Sequence, residues 1–259
     1  MTVVDTSVLG RPIWYELMTT DVGSAEAFYR AVVGWTSAPF TGSPQPYINF
    51  RREGGVGVAG LLARPDDMPA PPFWSMYVAV PSLDDAVASI EGLGGRSVSP
   101  IIDVPTVGRV RMMSDPQGAL FYIHEPVSLT MPPEGEPALG EVSWRELMTT
   151  DAEAAMRFYQ AVFGWQPSEA MDMGPAGKYQ MFDRPHGMIG GMMNTPPEMG
   201  AVPPAWQIYF TVPEITAAAA RVTEHGGRVI NGPMQVPGGS WVLNATDREG
   251  AVFGLHARA

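Results

Sequence analysis

Cysteine is missing from the 259 residues, which excludes a disulfide framework and thiolate chemistry and leaves the redox compartment uninformed. Basic residues are scarce: 16 Lys and Arg stand against 27 Asp and Glu, giving a formal net charge of −11. Lys178 is the only lysine. A surface of this sign repels nucleic acid and anionic membranes, so neither is expected as a partner. No apolar run approaches the roughly 20 residues needed to cross a bilayer. The opening MTVVDTSVLGRPIW lacks a basic region followed by a long apolar one, so no signal peptide is expected and the chain reads as soluble and cytoplasmic. Ser-His-Asp and Cys-His signatures are absent too. The glycine pairs Gly54-Gly55 and Gly190-Gly191 fit neither a dinucleotide nor a phosphate loop and are assigned to tight strand geometry.

What the chain does contain is itself, twice. WYELMTTDVGSAEAFYRAVVGW at 14–35 returns as WRELMTTDAEAAMRFYQAVFGW at 144–165, 130 positions on. Trp74-Ser-Met-Tyr-Val-Ala-Val-Pro81 answers to Trp206-Gln-Ile-Tyr-Phe-Thr-Val-Pro213, and Asp115-Pro-Gln-Gly118 to Asp247-Arg-Glu-Gly250, now at an offset of 132. A repeat of this size implies one fold made twice, and 45% hydrophobic content allows two cores of domain size. The boundaries read as 1–126 for the first domain, a Pro/Gly/Glu-rich linker at 127–140, and 141–259 for the second.

Within a repeat, residues 14–19 form a strand and Asp21 is a plausible N-cap. Ala25, Phe28, Val32 and Val33 put an apolar stripe on the helix that follows, and Gly34 stops it. Strands are expected around 47–51, 56–62 and 73–80, then a helix over 83–92 and strands near 96–99, 108–113 and 119–124. The unit therefore reads β-α-β-β-β twice.

A strand ending in TTD before a helix with FY…GW, a strand ending in VP before another helix, then D-P-x-G-A-x-F, resembles the vicinal oxygen chelate superfamily. That group includes glyoxalases, bleomycin-type drug-binding proteins, fosfomycin-modifying enzymes and extradiol dioxygenases. The resemblance runs over nearly the whole chain, twice, and is greatest to a two-domain glyoxalase-like branch. It implies an α+β fold of tandem domains, each of two βαβββ modules whose curved sheet encloses a ligand cavity.

The resemblance also implies three strand positions for divalent-metal ligands. They fall on Trp14, Ser75 and Tyr122 in the first half and on Trp144, Gln207 and Gly254 in the second. Indole and glycine offer a metal nothing, so no metal or other cofactor is expected, a divalent ion being disfavoured. Two residues further along, on the same strand face, stand Glu16 and Glu146, Tyr77 and Tyr209, and His124 and His256. Glu16/His124 and Glu146/His256 read either as a shifted metal site or acid–base pair, or as a buried carboxylate bonded to an imidazole. Trp14 and Trp144 read as flat pocket walls. Trp35, Trp74, Trp165 and Trp206 are assigned to packing, and His186 and His225 to no role.

Met171, Met173, Met181, Met188, Met192, Met193 and Met199 crowd the second half, where Gly254 replaces Tyr122. These favour a bulky ligand there, with Met192 among its contacts. The expected function is metal-independent binding of a bulky apolar or aromatic small molecule of the natural-product or drug-resistance type. The alternative is a glyoxalase-like lyase or a hydroxylase or oxygenase acting on such a molecule through Glu146, His256 and Tyr209. The chain is expected to be a monomer or a homodimer.

Overall fold

The computed structural model describes residues 8–259 apart from positions 44, 67, 69, 129–134, 186 and 201 and the side chain of Glu198. Part of the expected linker and His186 thus lie outside the described residues. The first half supplies β1 (Pro12–Thr19), α1 (Val22–Val33), β2 (Thr36–Pro39), β3 (Tyr47–Arg51), β4 (Gly57–Ala63), β5 (Phe73–Ala79), α2 (Leu83–Gly92), β6 (Arg96–Ser97), β7 (Ile102–Val104), β8 (Gly108–Ser114) and β9 (Leu120–Pro126). The second supplies β10 (Val142–Thr149), α3 (Ala152–Phe163), β11 (Gln166–Asp172), β12 (Lys178–Arg184) and β13 (Gly187–Asn194). It continues with β14 (Ala205–Thr211), α4 (Ile215–Glu224), β15 (Arg228–Gln235), β16 (Trp241–Thr246) and β17 (Val252–Ala257).

The strands of each half make one sheet, edged by β2 and β6 in the first and by β11 and β15 in the second, so neither closes into a barrel. With few helices beside them, the class is α+β. Among the described residues no helix is long and apolar enough to cross a membrane.

The helix ends follow from single residues. Asp21 accepts the Ser24 N–H at 2.9 Å, and Gly34 takes the left-handed conformation (φ 89°) and donates to the Arg30 carbonyl. Asp151 and Gly164 repeat both devices on α3. Two edge strands, β2 and β11, escape the sequence pattern because neither buries a residue and neither alternates.

By contacts the chain resolves into two compact units, each drawing on both sequence halves. One comprises Met1–Ile13, Met76–Glu134 and Arg145–Trp206; the other comprises Trp14–Ser75, Gly135–Trp144 and Gln207–Ala259. We call them the first and second unit. The second is built on Phe28, Tyr29, Trp35, Phe50, Trp74, Phe210 and Phe253, and the first on Phe121, Phe158, Tyr159, Phe163, Trp165, Phe182 and Trp206. The four tryptophans assigned to packing all sit in these clusters and are buried. Burying each such ring is worth about 1.5–3 kcal/mol or more.

Each cluster carries one polar chain. In the first unit Trp206 Nε1 donates to Tyr159 Oη (3.0 Å), which donates to Asp115 Oδ2 (3.0 Å). The other carboxylate oxygen accepts the N–H groups of Gln117, Gly118 and Ala119. In the second unit Trp74, Tyr29 and Asp247 repeat it at 2.8 and 3.2 Å. Burial pushes both phenols well up and raises both aspartates, against backbone hydrogen bonds that lower them.

Candidate functional site

Strand alternation puts Trp14, Glu16 and Met18 on one face of β1, and β4 runs parallel beside it with Gly60 opposite Glu16. From β3, Tyr47 lies across Gly60 so closely that a Cβ there would meet its hydroxyl at 1.7 Å. The Trp14 indole N–H donates to that hydroxyl at 2.8 Å. The first unit holds the repeat: Glu146 opposite Gly191, and Tyr179 lying across Gly191, where a Cβ would meet its ring at 2.2 Å. Here the Tyr179 hydroxyl donates to Glu146 Oε2 at 3.1 Å. Glycine is required at both positions because a tyrosine ring takes the place of its side chain.

The expected pairing of carboxylate with imidazole is therefore corrected. Glu146 is answered by a tyrosine, and His124 Nε2 donates to the Val107 carbonyl at 3.2 Å. Neither Tyr47 nor Tyr179 stood among the candidate residues; Gly60 and Gly191 were the available signal. Met192 is also corrected. It pairs with Leu147 and Gln180, one step out of phase with Glu146, and is fully buried on the core face with Phe182. The methionine cluster divides likewise, since Met173, Met188 and Met199 are exposed.

The remaining candidates lie on two faces that answer position by position. In the first unit β5, β9 and β8 align Tyr77–Tyr122–Met112 and, one step along, Ala79–His124–Val110. The Tyr77 and Tyr122 rings stack at 4.1 Å and 5°, and the His124 ring stands edge-on to Tyr77. Met112 is fully buried and His124 is 7% exposed. Burial lowers the His124 pKa, partly offset by the Val107 bond.

In the second unit β14, β17 and β16 align Tyr209–Gly254–Asn244 and Thr211–His256–Val242. The Tyr209 ring lies over Gly254, where a Cβ would meet it at 2.2 Å, and Asn244 Nδ2 donates to the Tyr209 hydroxyl at 2.7 Å. The space that Gly254 was expected to open is thus taken by Tyr209, which corrects the idea of a cavity enlarged at that point. Asn244, Val242 and His256 are nevertheless partly exposed, and Val252, on the same face, is exposed. Gln207, two residues before Tyr209, is buried. Its Nε2, Thr211 Oγ1 and His256 Nδ1 have no hydrogen-bond partner among the described residues. Burial, and then Arg258, lower the His256 pKa. So one face is aromatic and sealed, and its repeat mate is polar and partly open.

Glu146 belongs to the first unit, and Tyr209 and His256 to the second. In the second unit a groove of about 360 Å³ is lined by Glu136 to Leu139, Thr211 to Pro213, Arg258 and Ala259, and shares Thr211 with the open face.

The three chelate positions do not fit a divalent ion. Trp14 spends its indole N–H on Tyr47, Tyr122 stacks on Tyr77, and Gly254 has no side chain. Among the described residues no three His, Asp or Glu side chains are placed to hold a metal.

Residues 141–255 match the family model of the Glyoxalase/Bleomycin resistance protein/Dioxygenase superfamily, and residues 14–124 match that of the Glyoxalase-like domain. CFP32 of Mycobacterium tuberculosis, provisionally named a glyoxylase, is 31% identical over 253 residues, covering 95% of this chain and 94% of that one. The anthracycline biosynthesis protein DauV of Streptomyces sp. is 30% identical over 265 residues, covering 95% and 92%. Among solved structures, a Mn(II)-bound glyoxalase from Novosphingobium aromaticivorans shares the fold with a TM-score of 0.63 at 18% identity, over 95% of this chain and 81% of that one.

Proposed function

The chain belongs to the vicinal oxygen chelate superfamily, as a two-domain member, and from that premise we propose that it binds a flat, polycyclic aromatic small molecule without a divalent metal. The observation that carries the reading is the contrast between the two faces. Met112 and Tyr122 seal one, while Asn244 and Gly254 leave the other polar and partly open beside exposed Val252. The ligand lies along Val252, His256, Val242 and Asn244, with Gln207 at its edge. The relative DauV, named for anthracycline biosynthesis, supports an extended aromatic skeleton as the ligand class.

Tryptophan emission tests this directly. Titration of the metal-stripped protein with a panel of polycyclic aromatics should give saturable quenching that chelator leaves unchanged and Trp144→Ala weakens. A panel that leaves the emission unchanged throughout overturns the reading.

The lowered pKa of His256 favours one alternative, an enzyme in which neutral His256 accepts a proton and Tyr209 and Glu146 assist. Turnover that survives chelator and is lost in both His256→Ala and Glu146→Gln would establish it in place of simple binding.

A further inference from the structure

We infer that Gln207 donates a hydrogen bond to a ring-carbonyl oxygen of the ligand and so selects oxygenated aromatics, quinones above all, over hydrocarbons of the same skeleton; this rests on the binding reading above. Gln207 is 8% exposed, and its Nε2 finds no acceptor among the described residues. A buried amide N–H without an acceptor is costly, so a group that supplies one is bound in preference to one that does not. Its neighbours cannot serve. Asn244 has turned its own amide N–H toward Tyr209 at 2.7 Å, which aims its carbonyl elsewhere. Two residues along the strand from Gln207, Tyr209 covers Gly254 and closes that side.

Unpartnered hydroxyls also occur at Thr19, Ser75, Thr149 and Thr211. A hydroxyl can accept as well as donate, so it makes little demand on a ligand. The amide NH₂ of Gln207 is donor-only and demands an acceptor. Nearby, His256 leaves Nδ1 without a partner, and with its pKa lowered it is neutral at neutral pH. In the first half the repeat mate of Gln207 is Ser75, and the aligned face is sealed by the Tyr77–Tyr122 stack. The amide is therefore a property of the open face alone.

Anthraquinone and anthracene share a skeleton and differ in two carbonyl oxygens, so they isolate the effect. The wild-type chain should bind anthraquinone about tenfold to a hundredfold more tightly, the cost of leaving one buried donor unpaired. The ratio should fall toward unity in Gln207→Leu, which keeps the volume and removes the donor. If that variant fails to fold, Gln207→Ser, the residue of the first half, carries the same expectation. Equal affinities in the wild type, or a preference that survives both substitutions, would overturn the inference while the binding reading stands. Binding of neither compound would remove the binding reading and the inference with it.

Discussion

Removing the hydroxyl of Tyr159 should cost the protein about 2–5 kcal/mol, because two buried groups lose a partner at about 1–3 kcal/mol each. Tyr159 is fully buried, and its oxygen both accepts from Trp206 Nε1 and donates to Asp115 Oδ2, each at 3.0 Å. Phenylalanine keeps the ring and its contacts with Phe121, Trp165 and Trp206, so the aromatic packing is preserved. What is lost is polar. The Trp206 N–H is left in an apolar surrounding, and one oxygen of Asp115 loses its donor while the other keeps three backbone N–H groups. Urea unfolding of Tyr159→Phe should show a lower midpoint with an unchanged slope, since no surface is newly exposed. Adding Trp206→Phe should cost less than the sum of the two single changes, because the second removes the donor that the first left unpaired. A loss below about 0.5 kcal/mol, the range of an ordinary surface substitution, would refute the view that this chain of bonds is a structural tie.

Two further outcomes follow from the same geometry. Burial raises the pKa of Asp115 and Asp247, so the folded state binds their protons more tightly than the unfolded one. Their stabilising contribution is then complete below the ordinary carboxylate pKa of about 3.9 and is lost as pH rises through the folded value. Relative to Asp115→Asn or Asp247→Asn, the wild type should lose stability as pH is raised from acid, and chemical denaturation across pH measures it; a flat difference would count against the assignment. At Gly60 a methyl group would stand 1.7 Å from the Tyr47 hydroxyl, so Gly60→Ala should destabilise by about 1–3 kcal/mol through overpacking. Tyr47→Ala in the same chain should restore room for it; thermal unfolding of the pair shows whether it does.

Much of the fold was legible because the repeat could be read against itself. Asp21 and Gly34 act as the caps their residue types suggest, and α2 runs over the stretch bounded by Pro81 and Gly94. What escaped were features without local pattern. β2 and β11 bury nothing, so no alternation marks them. Tyr47 and Tyr179 act across a strand pair, reaching diagonally over glycines two positions away, and no periodicity within one strand records that. The exchange of residues between halves within each compact unit is likewise a tertiary fact: Tyr29 and Asp247 are 218 residues apart.

At the candidate site the second face was pointed to by Gly254 and Gln207, but Asn244 was missed. Its signal was present, since Met112 becomes Asn244 at the same repeat position, a core methionine exchanged for an amide. Met192 was misassigned because its phase relative to Glu146 puts it on the opposite face of β13.

The most direct test of the central claim converts the open face into the sealed one. Asn244→Met with Gly254→Tyr gives the second half the residues of the first, whose Tyr77–Tyr122 stack shows that such a face packs. Calorimetric titration with anthraquinone should give a single saturable event in the wild-type chain and none in the double variant, with folding checked by circular dichroism. Undiminished binding by a folded double variant would contradict the account and move the ligand off the β14–β17–β16 face.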